Sequence, residues 1–336
     1  MNCAAPTDFG LSWPDFCQRG GATDVHADGW GLVYYANNGL RQFHDIEAAS
    51  TSPLAQFLGQ QNIQASNVLA HIRYATSGQV DLANVHPFCR EMWALNWSFC
   101  HNGQIPLFDD HPDTWLGNIP GDRMYYPVGT TDSEKAFCAI LNSLRAEFTG
   151  SMPSLPVLHD RIRALCDEII EYDPQGTILN FLLACGPHAL WVYSYPGRRP
   201  GSSTWNGLHY TVRSRSTCLG DEDYAVTVSI PGNSTNGCEK SSFPNGSAND
   251  KTSRSRQICI VATTPLTNDE EWIELKPREL ILFDEGLPHV SPRELFRVEM
   301  QGHGLDNNGK VLTKARLEED MRQYEFHKEF YVGGGI

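Results

Sequence analysis

The sequence predicts a layered α+β protein, and three observations predict it. Apolar, β-prone runs dominate the first hundred residues, two helical stripes fill the span from about residue 131 to 172, and strand-like runs return afterwards. Strands, then helices, then strands again suggest sheets beneath helical layers rather than alternating βαβ units.

Each element has a local reason. Leu32-Val33-Tyr34-Tyr35 leads into the turn signal Asn37-Asn38-Gly39, and Leu40-Arg41-Gln42-Phe43 returns, so about Gly29 to Asp45 reads as a hairpin. Ser52-Pro53 reads as an N-cap with proline at the first helical position, opening a short helix through Phe57. Val68-Leu69-Ala70-His71-Ile72 and Trp93 to Phe99 are apolar strands, and each runs directly into a polar segment. Thr131 and Glu134 match a capping box, followed by a stripe of Phe137, Ile140, Leu141, Leu144 and Phe148. A second helix is predicted from about Leu158 to Tyr172. A hairpin follows, Asn180–Ala184 and Ala189–Tyr193, turning at Cys185-Gly186-Pro187-His188. Residues from about Gly232 to Arg256 are rich in Ser, Asn, Gly and Lys and read as an insertion before strands at Ile258–Thr263 and Leu280–Phe283. From about Glu285 the composition changes. Leu312 to Phe330 is helical in charge pattern but weak in apolar stripe, which reads as a peripheral helix or partly ordered tail.

The 336 residues can bury a sizeable core. Hydrophobic residues at 40% and charged residues at 20% are those of a soluble globular protein. A formal charge of −14 argues against nucleic acid or anionic membrane as the main partner, because both need a basic face. No apolar run approaches a membrane span and no secretory signal is evident, so a cytoplasmic location is expected. The ten cysteines form no CxxC pair and no dense framework, which fits reduced thiols and no metal site. Three glycosylation triplets, at Asn96, Asn233 and Asn245, are short enough to be accidental.

Three polar segments carry the chemistry. Arg73 lies just past a strand, where its guanidinium can take a carboxylate through two parallel hydrogen bonds, and Thr76 with its small neighbours would let a ligand lie against the backbone. Asp132 opens a helix, where a carboxylate is stabilised as a cap; paired with Arg73, it becomes an acceptor for an α-ammonium group. Asn102-Gly103 follows a strand and reads as a tight turn whose side-chain amide and backbone N–H can face a developing oxyanion. His101 beside it reads as structural rather than as a general base.

In order and in residues, His71 to Gly78, His101-Asn102-Gly103-Gln104 and Gly129 to Glu134 resemble the class II glutamine amidotransferases. Further matches point to the stand-alone subgroup similar to bacterial YafJ: Gln18-Arg19-Gly20-Gly21, His26 to Gly31, Asn84-Val85-His86-Pro87-Phe88 and Asp132 to Cys138. The resemblance implies the four-layer αββα N-terminal-nucleophile fold over residues 1–284, with an insertion at about 232–256 and an extension at 285–336. By similarity, Arg73 and Thr76 would hold a glutamine carboxylate, Asp132 its amino group, and Asn102 with Gly103 the oxyanion. The reaction implied is hydrolysis of a γ-glutamyl amide, glutamine or a γ-glutamyl peptide such as glutathione, through a cysteine thioester. A peptidase or other protein subunit is a candidate partner, and no cofactor or metal is implied.

The beginning departs from the family pattern. Its nucleophile is an N-terminal cysteine on a central strand, whose α-amine takes the thiol proton. Here Cys3 is followed by Ala4-Ala5-Pro6-Thr7-Asp8, which does not read as a central strand. Matching Pro6-Thr7-Asp8 to the family places Cys3 past that strand, so Cys3 is a doubtful nucleophile and one just upstream of Met1 is expected. Two readings follow: an amidohydrolase whose chain begins further upstream, or a non-catalytic ligand-binding or regulatory protein on the same fold. Use of Cys17 or Cys100 instead is disfavoured, since buried thiols are usually structural.

Overall fold

The computed structural model describes residues 1–10, 12–75, 78–199, 204–215 and 256–289. In chain order the strands are β1 (Asn2–Asp8), β2 (Trp30–Ala36), β3 (Gly39–Asp45), β4 (Gln64–Ile72), β5 (Phe88–Met92), β6 (Leu95–Gln104), β7 (Ile178–Cys185), β8 (Ala189–Tyr195), β9 (His209–Arg215), β10 (Arg256–Ala262), β11 (Ile273–Glu274), β12 (Glu279–Asp284) and β13 (Leu287–His289). The helices are α1 (Trp13–Gln18), α2 (Pro53–Gly59), α3 (Pro106–Asp110), α4 (Asp132–Glu147) and α5 (Leu155–Tyr172). The insertion expected at about 232–256 falls outside the described residues except for Arg256. The helix expected at Leu312–Phe330 lies wholly outside them.

The strands form two antiparallel sheets, one ordered β11-β9-β10-β1-β4-β2-β3 and the other β13-β12-β8-β7-β6-β5. Their facing sides enclose Val33, Leu69, Cys100, Val192, Cys259 and Phe283. On the far side of the first sheet, Trp13 and Cys17 of α1 and Ala55 and Leu58 of α2 cover Trp30, Leu32 and Tyr34. On the far side of the second, α4 and α5 bring Phe137, Ile140, Leu141, Ile162 and Leu165 onto Trp97, Phe99, Phe181 and Trp191. The result is the four-layer αββα arrangement. Each large side chain sealed this way contributes roughly 1.5–3 kcal/mol relative to exposure.

Two buried amides tie the sheets together. Asn67 on β4 donates to the Gly186 and Ala189 carbonyls at 3.1 Å each, and Asn2 donates to the His188 carbonyl at 2.6 Å. The Asn2 side-chain oxygen accepts the Gly286 N–H at 2.8 Å. Both thus satisfy polar groups that burial would otherwise leave costly.

Most local readings match the structure. The β2–β3 hairpin closes with Ala36 opposite Gly39 and Asn37 at φ 54°, and the β7–β8 hairpin pairs Cys185 with Ala189. Ser52 caps α2 through the Ala55 N–H. The reading of the first residues needs correction. Asn2–Asp8 is a strand, and it lies inside the first sheet between β10 and β4, with Cys3 near its head. Its pairing with β4 shifts register between Asn2 and Thr7, and this irregularity takes up Ala4-Ala5-Pro6. A proline lacking an N–H is tolerated at such a bulge. Strand β9, which carries no turn signal of its own, is absent from the sequence reading.

Candidate active site

Three loops meet at one end of the sheets, and the strands before them set their positions. Arg73 directly follows β4. Its backbone N–H donates to the Gly29 carbonyl at 2.8 Å and its carbonyl accepts the Asp28 N–H at 3.1 Å. These bonds hold the residue in line with the start of β2. The side chain is buried at 4% exposure, and Nη2 lies 3.5 Å from the Gly78 carbonyl. Burial lowers the guanidinium pKa, while Asp28 and Asp81 act in the opposite direction. Asp28 also accepts the Ala75 N–H at 2.8 Å, so the loop after Arg73 is pinned at its start. Thr76 lies outside the described residues.

Asp132 is the first residue of α4 and is also buried, at 5% exposure. Its Oδ2 accepts the Ile105 N–H at 2.8 Å, which joins the helix N-terminus to the chain leaving β6. The capping box forms only by half. Thr131 Oγ1 accepts the Glu134 N–H at 3.3 Å, but the Glu134 carboxylate turns to the Gly129 N–H at 2.7 Å and to Arg90 Nη2 at 2.6 Å. A buried carboxylate gains more from a guanidinium than from one further amide, and Arg90 on β5 supplies it.

Asn102 and Gly103 are at the end of β6, opposite Asn180 and Leu179 of β7. They are strand residues rather than the tight turn that the dipeptide suggests. Gly103 has φ +153°, and a Cβ there would stand 1.8 Å from the Ile178 carbonyl oxygen. Only glycine fits. Asn180 Nδ2 donates to the Asn102 carbonyl at 3.2 Å. His101 lies between the Ile178 carbonyl, 3.1 Å from Nε2, and Ser133 Oγ, 2.8 Å from Nδ1. The carbonyl can only accept, so Nε2 carries the proton and Nδ1 accepts from the serine hydroxyl. Burial lowers the His101 pKa, consistent with a neutral ring that braces β6, β7 and α4.

Asn84 joins the first loop to the third. Its Oδ1 accepts the Thr130 N–H at 2.8 Å, and its Nδ2 reaches the Gln79 carbonyl at 3.0 Å and Thr130 Oγ1 at 3.3 Å. The segment after Arg73 and the turn before Asp132 are therefore one stitched wall. Asn84 lies within the Asn84-Val85-His86-Pro87-Phe88 match, and nothing in the sequence around it marks this task.

Arg199 was not anticipated at all. It sits in the segment after β8, and its Nη2 donates to the Gly103 carbonyl. Asp132 and Tyr74 are within its electrostatic reach. A basic residue in a Gly/Pro/Ser-rich stretch gives no signal of its own.

The thiols of the described residues are less suited to attack. Cys3 and Cys100 are buried at 2% and 4% exposure, and desolvation raises both pKa values; Cys17 is pushed up to about 12 by the same cause. Thiolate reactivity needs the opposite shift.

Comparison with known proteins agrees with this architecture. Residues 1–237 match the family model for class II glutamine amidotransferases. The chain belongs to the class II glutamine amidotransferases. A Haemophilus influenzae protein whose name assigns it provisionally to the glutamine amidotransferases is 34% identical over 289 residues, covering 85% of this chain and 83% of that one. Escherichia coli YafJ, provisionally named in the same way, is 32% identical over 286 residues, covering 84% and 95%. A crystal structure of a predicted glutamine amidotransferase from Pseudomonas aeruginosa aligns with a TM-score of 0.52 and 29% identity, over 81% of this chain and 91% of that one. Among the described residues, no helix is long and apolar enough to cross a membrane.

Proposed function

We propose that this amidotransferase-family chain hydrolyses γ-glutamyl amides, taking glutamine or a γ-glutamyl peptide as substrate. The carrying observation is a buried cation and a buried anion, Arg73 and Asp132, on loops fastened by Asn84 beside the Asn102-Gly103 strand end. A zwitterion offers complementary charges, with its α-carboxylate toward Arg73 and its α-ammonium toward Asp132. Its γ-carbonyl would then reach the Asn102 amide and the Gly103 N–H. Thiolate attack there gives a tetrahedral oxyanion that both donors stabilise. Collapse to the thioester expels the amine, which takes the proton first lost by the thiol. Water then attacks the thioester, and glutamate leaves.

The reaction needs a thiol beside these groups, and the register of β1 supports one position for it. Met1 exchanges backbone hydrogen bonds with Val68, at 2.8 and 2.9 Å. Continued in that register, positions preceding Met1 would pair along Leu69 to Ile72 and come level with Arg73. A cysteine there is the proposed nucleophile. Burial of the Cys3 and Cys100 thiols, which raises both pKa values, favours a second reading, a ligand-binding protein without turnover.

Two measurements test the proposal. Calorimetry with L-glutamate should show binding that Arg73→Ala abolishes, and unchanged affinity in the variant would remove the zwitterion site. Mass spectrometry of the N-terminal peptide from the native source separates the readings. A mature cysteine preceding Met1 supports hydrolysis, and a terminus at Met1 or Asn2 supports binding alone.

A further inference from the structure

Strand β3 is a long sheet edge that the described residues leave open. The other edges, β11, β13 and β5, have two, three and five residues, whereas β3 has seven. The β2–β3 hairpin fixes which way its backbone points. Its two-residue turn closes on Ala36 opposite Gly39, so the hydrogen-bonded pairs are Ala36–Gly39, Tyr34–Arg41, Leu32–Phe43 and Trp30–Asp45. The alternate residues Leu40, Gln42 and His44 therefore turn their N–H and C=O groups away from β2. Among the described residues these groups have no backbone partner. Such a row is a template for one more strand.

The side chains select that strand. Arg41, Phe43 and Asp45 share one face of β3, because strand residues two apart point the same way. Phe43 is held by stacking on Tyr34, with ring centroids 6.1 Å apart. Asp45 is held by the Ser52 hydroxyl at 2.5 Å and the Glu47 N–H at 3.1 Å. Arg41 is exposed, and neither Arg41 nor Asp45 forms an ion pair among the described residues. A fixed anion and a free cation thus flank a fixed aromatic ring on an open edge.

We propose that β3 is a dimer edge, and that two copies of this chain join their β3 strands antiparallel about a two-fold axis at Phe43. Charge selects this register from its neighbours. With the axis at Phe43, Arg41 of each copy stands opposite Asp45 of the other, and Gln42 exchanges main-chain hydrogen bonds with His44. An axis at Gln42 would set Arg41 against Phe43, and an axis at Arg41 would set two guanidinium groups against each other. Opposite charges stabilise such cross-strand pairs and like charges destabilise them. The two Phe43 rings meet at the axis as a non-hydrogen-bonded pair, where side chains approach most closely. One patch serves both copies, as a two-fold interface requires. The inference is independent of the γ-glutamyl reading.

Sedimentation velocity of the full chain over a range of concentrations tests it, with Gln42→Pro and Arg41→Glu alongside. The Gln42 N–H points outward, so proline removes a bond from the dimer and none from the β2 pairing. Gln42→Pro should keep the parent's far-UV circular dichroism and remain monomeric. Arg41→Glu sets a carboxylate against Asp45 and should raise the dissociation constant at least about tenfold. Because Arg41 is exposed, this second variant decides the matter if the proline disturbs the strand. A parent that stays monomeric up to about 1 mM would overturn the proposal. So would a parent dimer whose dissociation constant is unchanged in either variant.

Discussion

Asn84 accepts the Thr130 N–H at 2.8 Å, and through that bond the loop that follows Arg73 is locked to the turn that precedes Asp132. The two charges proposed to read a zwitterion are therefore positioned relative to each other by a neutral side chain that touches neither. Asn84→Ala removes its three hydrogen bonds and should cost about 1–3 kcal/mol of stability. It should also weaken glutamate binding, because the loops lose their fixed spacing. Denaturant melts and calorimetry on the same preparation check both, and intact glutamate affinity would show that the clip serves folding alone.

Gly103 has no room for a side chain. Gly103→Ala brings a Cβ against the Ile178 carbonyl oxygen in a backbone region that alanine rarely adopts. Destabilisation of more than about 2 kcal/mol is expected. A variant as stable as the parent in urea would mean that β6 and β7 separate easily at this end.

Asn102→Ala addresses chemistry rather than folding. In a preparation with measurable hydrolase activity, loss of one oxyanion donor should slow turnover by about 100-fold. Stopped-flow or steady-state rates decide it, and an unaltered rate would reduce Asn102 to a strand residue.

His71 and His86 make the fold acid-sensitive. His71 Nε2 and His86 Nδ1 are 3.2 Å apart, with ring centroids at 4.3 Å. Desolvation pushes His71 down to about 3 and His86 well below its ordinary value, with His101 adding to the effect on His71 and His71 to that on His86. Both folded pKa values thus lie below the unfolded value of about 6.5, so the unfolded chain takes up protons first as pH falls. Stability should be full above about pH 6.5 and decline from there toward pH 3, by up to about 1.4 kcal/mol per pH unit for each ring. Denaturation of the parent and of His86→Gln between pH 7 and 5 should show a shallower slope in the variant. Parallel slopes would mean that the pair is not held neutral.

The Arg90–Glu134 pair joins β5 to the first turn of α4 at 2.6 Å. The carboxylate side chain is only 2% exposed. Arg90→Ala would strand it, at roughly 3–5 kcal/mol, whereas exchanging both residues for apolar ones of similar size should cost much less. A double-mutant cycle by chemical denaturation measures the difference, and equal losses in the single and double variants would refute it.

What the sequence determined by itself is what depends on neighbours in the chain. The Asn37-Asn38-Gly39 turn, the Ser52 cap, the α4 and α5 stripes and the β7–β8 hairpin all follow from backbone preference and periodicity over a few residues. Arg73, Asp132, Asn102 and Gly103 could be located as candidates for a related reason, since each stands at the end of a recognisable strand or at the start of a helix. Tertiary structure alone decided the rest. It made Asn2–Asp8 an interior strand despite Pro6, because pairing on both edges and one bulge outweigh a local preference against it. It turned Glu134 from its own cap to Arg90, forty-four residues away, because a buried charge seeks the nearest opposite charge. It gave Asn84 and Arg199 their partners at Thr130 and Gly103, contacts spanning 46 and 96 residues. Side chains that act across such spans carry no periodic or positional mark, because the geometry that selects them exists only once the sheets have packed.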